Sequence, residues 1–336
     1  MPALLNVDIM HEPVVRLLER QLEEVSLIFE RQLASDLTAV NALCRHIEQY
    51  RGKMLRPTLV LLSGLAAAPV DEPSRESALT EKHRIVAAVV EMIHMATLVH
   101  DDVLDEAEVR RQGATVNHLR GNEAAVMLGD YLISNAFHLC STAGDPAINL
   151  ALGEVTNTLC EGELVQLHHR DDYSIDEATY FEIVTRKTAS LIGECCRLGA
   201  VISGAAPGVG EAMRRFGVAL GIAFQIQDDL LDISGEQRIV GKSLGKDLDK
   251  GKLTLPVIRH LATAGAVQRG AALRLIEQRD GASLQQAIIA SGSVESTHQT
   301  ARQHVGSAQQ ELANLPAGPT KDVLATLAEA VASRAF

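Results

Sequence analysis

The sequence contains no tryptophan and few aromatic residues of any kind. Phenylalanine, tyrosine and tryptophan together make up 3% of its 336 residues, and runs of β-branched residues are rare. Since aromatic and β-branched residues are enriched in strands, a β-rich fold is not expected. Alanine and leucine, which favour helix, dominate a composition that is 46% hydrophobic. We predict an all-α fold, a helical bundle formed by a single domain over residues 1–336.

The sequence also contains fewer basic than acidic residues. The chain has 31 lysine and arginine residues against 43 aspartate and glutamate residues, which gives a net charge of −12. A chain this acidic is not expected to bind nucleic acid. The sequence has no uncharged apolar stretch of about eighteen residues, the length that a membrane-spanning helix needs. The first ten residues are apolar, but they are few and lack a basic flank, so no signal peptide is expected.

Cysteine is sparse, and its spacing does not match a zinc site. The five cysteines are Cys44, Cys140, Cys160, Cys195 and Cys196. An odd number without zinc-site spacing indicates reduced thiols in a cytoplasmic protein. The two adjacent cysteines are interpreted as core packing rather than as redox chemistry.

Aspartate, by contrast, is concentrated in two runs of the same form. Residues 101–105 and residues 228–232 both read D-D-x-x-D, and both are embedded in apolar sequence. Carboxylates are rarely buried unless they are paired or bound to metal. Two such runs in a helical context therefore indicate a cavity that holds hard cations. Mg²⁺ is the natural candidate, because it takes oxygen ligands and is usually shared with substrate phosphates.

Helical spacing supports this interpretation of the aspartate runs. Residues four apart lie on the same helix face, so Asp101 and Asp105 should point the same way. The same argument applies to Asp228 and Asp232. The second aspartate of each run lies about 100° around the helix, where it can support the ligands or reach water. The alternative is a solvated acidic helix face. An EF-hand is excluded, since neither run has the glycine or the alternation of that loop.

Apolar residues recur at helical spacing along most of the chain. The predicted helices are Pro13–Ala34, Ser35–Gln49, Pro57–Ala67, Glu81–Asp105, Glu123–Cys140, Ala147–His168, Ile175–Lys187, Ser190–Gly204 and Gly210–Ile233. We predict loops at Glu106–Gly121 and at Ser234–Gly251, the second mobile and rich in glycine, lysine and aspartate. A proline-glycine pair at Pro207 is expected to separate two helices. From Leu253 onward the chain is predicted to be helical with glycine breaks.

Two basic residues precede one of the predicted helices. Lys53 and Arg56 lie just before Pro57, where that helix is expected to begin. A helix N-terminus presents free N–H groups and the positive end of the helix dipole, so it favours a phosphate. A lysine and an arginine at such a place predict a cradle for a diphosphate. The alternative is ordinary surface charge.

These motifs occur together with several others in a fixed order along the chain. In order they are Gly52-Lys53-Met54-Leu55-Arg56-Pro57, His94, the first aspartate run, Arg110-Arg111, Gly129-Asp130, Gly162-Glu163 with Gln166, Arg186-Lys187-Thr188-Ala189, the second aspartate run, and Gly251-Lys252 before Leu255-Pro256. With this set the chain resembles the trans-isoprenyl diphosphate synthase family. It is most similar to the long-chain, all-trans polyprenyl type that includes octaprenyl diphosphate synthases. The resemblance runs from about residue 52 to the C-terminus.

The resemblance implies a fold, an activity and partners. The fold would be the isoprenoid synthase type of helical bundle, with a central substrate cavity. The enzyme would be a prenyltransferase that condenses isopentenyl diphosphate head-to-tail onto an allylic diphosphate by Mg²⁺-assisted ionisation. Its product would be a long-chain all-trans polyprenyl diphosphate for isoprenoid and quinone biosynthesis. Three Mg²⁺ ions per active site, a homodimer, and peripheral association of the product with membranes are implied as well.

The resemblance also assigns roles to individual residues. Isopentenyl diphosphate would be bound by Gly52, Lys53, Arg56, His94 and Arg111. The allylic diphosphate would be bound by Arg110, Lys187, Thr188, Gln225, Lys242 and Lys252, with Lys246 and Lys250 as alternatives for the two loop lysines. The metal ligands would be Asp101, Asp102, Asp105, Asp228, Asp229 and Asp232. Catalysis would depend most on Asp101, Asp105, Asp228 and Lys187.

Product length is expected to depend on small residues before the first aspartate run. In the family, a bulky residue four or five positions before this run stops chain growth early. Those positions are Ala96 and Thr97 here, so the product should exceed about twenty carbons and fall in the hexaprenyl-to-decaprenyl range. Phe137 or Leu132 on the next helix would then limit growth. The alternative is that the small residues serve close helix packing.

Other activities are weighed against this one. A short-chain synthase of the farnesyl or geranylgeranyl class has the same motifs. A terpene cyclase also needs an aspartate run, but it lacks the second basic cradle, which is present here at Lys53 and Arg56. A non-catalytic subunit of a two-component synthase usually loses its aspartate motifs, and both are intact here.

Overall fold

The chain is helical almost throughout. The computed structural model describes residues 12–50, 52–68, 77–111, 113–234 and 246–332. The α-helices are α1 (Glu12–Leu33), α2 (Thr38–Ile47), α3 (Leu55–Ala67), α4 (Glu81–Leu104), α5 (Val116–Arg120), α6 (Asn122–Thr142), α7 (Pro146–His168), α8 (Glu177–Val184), α9 (Ser190–Ile202), α10 (Pro207–Ser234), α11 (Lys246–Asp249), α12 (Leu255–Thr263), α13 (Ala266–Glu277), α14 (Gly281–Ala290), α15 (Ser293–Glu311) and α16 (Pro319–Ala332). The predicted all-α fold is confirmed. Within the described ranges no helix is long and apolar enough to cross a membrane.

The described residues divide into two compact units, each assembled from separate stretches of the chain. Unit 1 contains the described residues up to Thr156, together with Ile192–Arg215 and Glu311–Leu327. Unit 2 contains Asn157–Leu191, Phe216–Gln310 and the described residues from Ala328 onward.

Helix α4 forms the centre of unit 1. Its residues Ala87, Ala88, Val89 and Val90 follow one another and are all fully buried, so the helix is covered on every side. It packs against α1, α3 and α6. A helix that is apolar all round belongs in a protein interior. Because the first aspartate run is the C-terminal end of this helix, the run is placed by a central, buried element of the unit.

The start of α4 is fixed by a histidine in place of the usual glutamate of a capping box. His83 Nδ1 accepts the backbone N–H of Thr80, the N-cap residue, at 3.1 Å. On the other side of the ring, Nε2 lies 3.1 Å from the carbonyl oxygen of Gly199 and 3.0 Å from the hydroxyl of Ser203. One buried side chain therefore closes the N-terminus of α4 and joins it to α9.

Unit 2 has a core of its own. Its buried apolar residues come from α8, the second half of α10, and α12 to α15. Arg259 of α12 ties this unit together, since it donates to both carboxylate oxygens of Glu177 at 3.0 and 2.9 Å and to the carbonyl of Ser296 at 2.7 Å. The second aspartate run lies near the end of α10, directly beside this core.

Local predictions were wrong at four places. The predicted loop Ser234–Gly251 contains the short helix α11 (Lys246–Asp249). The segment Glu106–Gly121 is not a loop throughout, because two-residue strands β1 (Val109–Arg110) and β2 (Gly113–Ala114) pair as a hairpin and α5 follows. Pro207 opens α10 instead of separating two helices, since the first turn of a helix needs no N–H from this position. The predicted helix Ile175–Lys187 changes to a π-helical turn at Thr185–Ala189.

Candidate active site

The first aspartate run lies at the C-terminal end of α4. Asp101 and Asp105 are both partly exposed, whereas Asp102 is buried. The backbone N–H of Asp105 donates to the carbonyl of Asp101 at 2.8 Å, so these two residues lie one helical turn apart. The structure thus places them on one accessible face, as their spacing predicts.

Arg110 of the hairpin returns to hold the buried aspartate. Its Nε donates to both oxygens of Asp102 at 2.9 and 3.0 Å, and Nη2 lies 2.8 Å from Oδ1. Burial raises the pKa of Asp102, and the contact with Arg110 opposes this rise. Tyr50 also lowers the pKa of Asp102, and its hydroxyl accepts the backbone N–H of Val116 at 3.0 Å. Both oxygens of Asp102 already accept hydrogen bonds from Arg110. A role for Asp102 as a metal ligand stays a prediction.

Short polar side chains shape the loop that carries Arg110. Asn117 Nδ2 donates to the carbonyls of Asp102 and Ala107, each at 3.1 Å. Thr115 Oγ1 donates to the same carbonyl of Ala107 at 2.5 Å. These bonds close the loop against the end of α4, and so Arg110 is brought back to the aspartate run that precedes it.

The residues of the predicted diphosphate cradle lie at the start of α3. This helix begins at Leu55, two residues before the predicted start, so Arg56 lies inside its first turn and Lys53 just before it. Within the described part of the chain, Arg56 Nε is buried and has no hydrogen-bond partner. Buried donors are nearly always paired. An unpaired arginine N–H at a helix N-terminus therefore indicates a place for an anion.

Arg111 approaches this helix start from the hairpin. Its guanidinium lies against Gly52, where a side chain would collide with it. Its Nη1 donates to the carbonyl of Tyr50 at 2.5 Å. A glycine at this position is thus required by the close approach of the arginine, which explains one residue of the motif that begins at Gly52.

His94 of α4 is surrounded by positive charge. Burial lowers the pKa of His94 well below its ordinary value, and the charges of Arg56, Arg111 and Arg110 lower it further. The ring is therefore neutral at neutral pH. The buried carboxylate of Glu91 offsets part of the burial effect on the pKa of Arg56. Because Arg110 is already paired with Asp102, Arg56 and Arg111 are the charges near His94 that suit a diphosphate.

The second aspartate run repeats the exposure pattern of the first. Asp228 is exposed and Asp232 partly exposed, whereas Asp229 is buried. The hydroxyl of Tyr180 donates to Asp229 Oδ2 at 2.6 Å, and Gln225 Nε2 donates to Oδ1 at 2.9 Å. Burial raises the pKa of Asp229 well above its ordinary value, and these two hydrogen bonds oppose the rise.

The π-helical turn Thr185–Ala189 carries two predicted site residues. Lys187 forms an ion pair with Glu163 of α7. Thr188 Oγ1 donates to Gln225 Oε1 at 3.1 Å. Single π-helical turns occur often at functional sites. Here the turn joins the lysine to α7 and the threonine to the helix that carries the second aspartate run.

The loop lysines are only partly described. Lys242 lies outside the described residues, whereas Lys250 and Lys252 lie in the turn after α11. The backbone N–H of Lys252 donates to the carbonyl of Asp247 at 2.8 Å. The backbone N–H of Asp247 in turn donates to Asp232 Oδ2 at 3.3 Å. The lysine-bearing segment is thus tied to the second aspartate run.

The donor set of the two runs fits a hard divalent ion. Within the described ranges, no three histidine, cysteine, aspartate or glutamate side chains already form a metal site. Each run instead offers carboxylate oxygens on one accessible helix face. Mg²⁺ is usually held by one or two carboxylates, with waters and substrate phosphates completing its shell. The residues therefore fit an ion that is shared with a diphosphate.

Several known proteins are similar to this chain over nearly its whole length. The polyprenyl synthase of Caulobacter crescentus CB15, solved in complex with calcium and isoprenyl diphosphate, is 32% identical with a TM-score of 0.88, over 96% of this chain and 98% of its own. The octaprenyl diphosphate synthase of Escherichia coli (strain K12) is 33% identical over 96% of this chain and 98% of its own length. Component 2 of the heptaprenyl diphosphate synthase of Bacillus subtilis (strain 168) is 32% identical over 96% of this chain and 88% of its own length.

A family model decides the assignment. The model of the polyprenyl synthetase family matches residues 38–290, which is more than half of the chain. The chain belongs to the polyprenyl synthetase family. The predicted resemblance to trans-isoprenyl diphosphate synthases is therefore confirmed, and the protein is a prenyltransferase.

In this polyprenyl synthetase the predicted site residues form two groups. Unit 1 brings the first aspartate run together with Gly52, Lys53, Arg56, His94, Arg110 and Arg111. Unit 2 brings the second aspartate run together with Lys187, Thr188, Gln225 and Lys252. The role of each residue stays a prediction.

The predicted chain-length residues lie on α4 and α6, which pack against each other. Ala96 is completely buried, and Phe137 is partly buried. Thr97 is partly exposed, and its hydroxyl donates to the carbonyl of His94 at 2.8 Å. Their influence on product length stays a prediction as well.

Four residues of the polyprenyl synthetase site were missed at the sequence level: Tyr50, Glu91, Asn117 and Tyr180. Glu91 could have been found, because it is an isolated acid in a long apolar helix and needs a partner when buried. Two of the four tyrosines in the chain contact the aspartate runs. No spacing rule links these tyrosines to the runs, since each comes from a different helix or turn.

Proposed function

We propose that this prenyltransferase condenses isopentenyl diphosphate with an allylic diphosphate and releases a long-chain all-trans polyprenyl diphosphate. One observation carries the proposal. Arg56 Nε is buried at the start of α3 and has no hydrogen-bond partner in the described chain, and the Arg111 guanidinium lies against Gly52 just before this helix. A terpene cyclase needs no such second anion site, so two substrates with diphosphate groups explain the arrangement better.

Isopentenyl diphosphate would occupy the cradle at the start of α3. Lys53 and Arg56 would bind its diphosphate together with the free N–H groups of the helix. Arg111, held against Gly52, would bind it from the hairpin side. His94 can donate one hydrogen bond to a phosphate oxygen without adding a further positive charge, because its ring is neutral.

The allylic diphosphate must lose its diphosphate as a leaving group. Its C–O bond breaks, the double bond of isopentenyl diphosphate attacks the allylic cation, and C2 then loses a proton to the released diphosphate, which restores a double bond. Lys187 and Arg110 would stabilise the leaving group, and both are already oriented by carboxylates, Glu163 and Asp102. Charges that are fixed before the reaction stabilise a transition state most effectively.

The two aspartate runs would supply the metal ligands. Asp101, Asp105 and Asp228 would hold Mg²⁺ ions, three according to the family resemblance, with Asp232 in support. When bound, these ions would neutralise charge that develops on the diphosphate. The Caulobacter protein, solved with calcium and isoprenyl diphosphate, supports a divalent ion as the cofactor.

A long product is supported by the names of the relatives and by the small side chains on α4. The E. coli and B. subtilis proteins are named for octaprenyl and heptaprenyl products. Ala96 offers no bulky side chain where the family stops short chains. The B. subtilis relative is named as one component of its synthase, which favours a second candidate: elongation that requires another polypeptide.

The protein is further proposed to be a cytoplasmic homodimer. Val126 and Met127 of α6 are exposed apolar side chains that a second copy could cover. Four of the five thiols are buried, and all five are free, as is usual in a reducing compartment. Light scattering should therefore give twice the chain mass of 36.1 kDa at micromolar concentration.

One assay tests the proposed function. Purified protein alone is incubated with isopentenyl diphosphate, an allylic primer and Mg²⁺, and the products are separated by length. Long prenyl diphosphates are expected, and chelation of the metal should abolish them. A hydrocarbon product would indicate a cyclase, farnesyl or geranylgeranyl diphosphate a short-chain synthase, and no turnover without another polypeptide the two-component alternative.

Two variants test the metal ligands in the same assay. Asp101→Ala and Asp228→Ala should each lower the rate by about a thousandfold or more, because each removes charge stabilisation that acts in the transition state. The exposed Asp36→Ala, between α1 and α2 and outside the motifs, serves as the control for loss of one carboxylate. Near-normal turnover of either site variant at saturating Mg²⁺ would contradict the assignment.

A further inference from the structure

We propose that Tyr180 is a positioning residue that sets the second aspartate run through its hydrogen bond to Asp229. The inference rests on the proposed function, because it assumes that Asp228 and Asp232 hold metal ions. Tyr180 itself would touch neither the metal nor the substrate. It would act by holding one buried carboxylate, and thereby the helix face that carries the other two.

The contact between Tyr180 and Asp229 is short and shielded. The tyrosine hydroxyl donates to Asp229 Oδ2 at 2.6 Å, and both side chains are buried. The tyrosine ring belongs to the apolar core of unit 2, so the direction of its hydroxyl is fixed by packing. A hydrogen bond in a dry environment is stronger than one at the surface.

The other oxygen of Asp229 is held as well. Gln225, one turn earlier on α10, donates to Oδ1 at 2.9 Å, and its own carbonyl oxygen accepts from Thr188 at 3.1 Å. Four side chains therefore form one continuous chain of hydrogen bonds from Thr188 to Tyr180. Because Thr188 is next to Lys187, this series of hydrogen bonds links the π turn that carries Lys187 to the second aspartate run.

Asp229 lies among buried apolar residues of α10. Ile226, Leu230 and Ile233 on the same helix end are buried in the core. A carboxylate placed there has to be paired, since an unpaired buried carboxylate is costly. Once Asp229 is fixed inward, helical geometry turns Asp228 and Asp232 toward the accessible side. The buried aspartate thus determines the direction of its accessible neighbours.

The first aspartate run follows the same plan. Its second carboxylate, Asp102, is also buried and accepts from Arg110 at 2.9 and 3.0 Å. A tyrosine, Tyr50, again lies beside it and lowers its pKa. A buried tyrosine therefore accompanies the second aspartate of both runs.

Tyr180→Phe is the test, because it removes the hydroxyl and keeps the ring in the core. The direct readout is binding of Mn²⁺ with inorganic pyrophosphate, followed by calorimetry and by electron paramagnetic resonance without any prenyl substrate. We expect binding about tenfold weaker than in the wild type. The Mg²⁺ concentration for half-maximal turnover should rise similarly, while the KM for isopentenyl diphosphate should stay constant. Tyr173→Phe, at a tyrosine that packs against the same core, is the control.

A double variant separates positioning from general stability. If Tyr180 acts through Asp229, then Tyr180→Phe should add little to the binding defect of Asp229→Asn. Full additivity, or normal Mn²⁺-pyrophosphate binding in Tyr180→Phe, would overturn the proposal. A wild type that binds Mn²⁺-pyrophosphate but makes no prenyl product would instead contradict the proposed function, and the binding comparison would still decide the role of Tyr180.

Discussion

Arg56 is the residue whose surroundings point most directly to an anion. It combines a helix N-terminus, an Nε without a partner in the described structure, and two further arginines nearby. Each charge-assisted hydrogen bond to a phosphate contributes roughly 1.5–3 kcal/mol. Arg56→Ala should therefore raise the KM for isopentenyl diphosphate about tenfold to a hundredfold. The KM for the allylic primer should change little.

Steady-state kinetics with each substrate varied in turn will measure this. Arg45→Ala, which removes one exposed positive charge from α2 of the same unit, is the matched control and should alter neither KM. An equal rise in both KM values after Arg56→Ala would show that the cradle has been assigned to the wrong diphosphate.

His83 predicts a pH dependence of stability that is separate from the active site. Burial lowers its pKa from 6.5 to about 4 in the folded chain. Its Nδ1 accepts a backbone N–H, so only a neutral ring fits. Between these two values the unfolded chain binds a proton that the folded chain does not. The contribution of His83 to the free energy of unfolding is therefore complete above pH 6.5. It is lost as the pH falls toward 4, and the total loss is about 3 kcal/mol.

Urea denaturation at several pH values will check the prediction. His83→Asn should be less stable than the wild type at pH 7, because it loses the contact with Gly199, and its stability should fall less between pH 6.5 and 4. His118→Asn at an exposed histidine of α5 should keep the wild-type slope. An unchanged slope in His83→Asn would rule out this histidine as the source.

At the scale of single elements, the π turn depends on a glycine of α7. A Cβ at Gly162 would lie 2.6 Å from the backbone nitrogen of Lys187 and 2.8 Å from Cβ of Arg186. Gly162→Ala must therefore displace the turn, and we expect a loss of about 1–3 kcal/mol of stability together with lower activity. A Cβ at Gly153, on the same helix, meets nothing within 4 Å.

Gly153→Ala is accordingly the control. Its helical position favours alanine, and we expect a gain of about 0.5–1 kcal/mol with normal activity. Thermal melting and the elongation assay, applied to both variants, give the comparison. If the two variants lost stability equally, the close approach of the π turn to Gly162 could not be the cause.

Helix α4 carries the prediction about product length. Ala96 is completely buried, so a larger side chain must enter either the space used by the growing chain or the packing of α4. Ala96→Phe should shorten the product to the farnesyl or geranylgeranyl class without abolishing turnover, because the metal ligands are unaffected. Ala96→Val should give intermediate lengths. Unchanged product length with a melting temperature lowered by several degrees would favour the packing explanation.

Sequence periodicity predicted the elements that are long and apolar, and it failed where elements are short. Helix α4 was predicted to within one residue, since its apolar positions repeat over many turns. The hairpin Val109–Ala114 was missed because two-residue strands have no period to detect. The π turn was missed because its hydrogen bonds join residues five apart instead of four. This small difference leaves the apolar pattern of Ile175–Lys187 nearly intact.

For the whole molecule, residues with their own chemistry were easier to predict than the residues that orient them. The aspartate runs and Arg56 can be recognised in the sequence from their charge and spacing. Tyr50 and Tyr180 act through contacts with residues distant in sequence, and only folding makes these contacts visible. Glu163 belonged to a recognised motif, yet its partner Lys187 could not be identified until the π turn was known.

The division of the chain into units leads to a prediction about unfolding. Along the sequence the chain alternates between unit 1 and unit 2, and each unit combines segments that are separated by residues of the other. Neither unit is a continuous stretch that could be completed before the rest of the chain is in place. We therefore expect one cooperative transition, as the single-domain prediction for residues 1–336 requires. Scanning calorimetry should give equal calorimetric and van't Hoff enthalpies when both are expressed per cooperative unit. That unit is one chain, or two chains if the homodimer persists during unfolding. Two resolved transitions, with one of them shifted selectively by Mn²⁺ and pyrophosphate, would show instead that the units fold as independent domains.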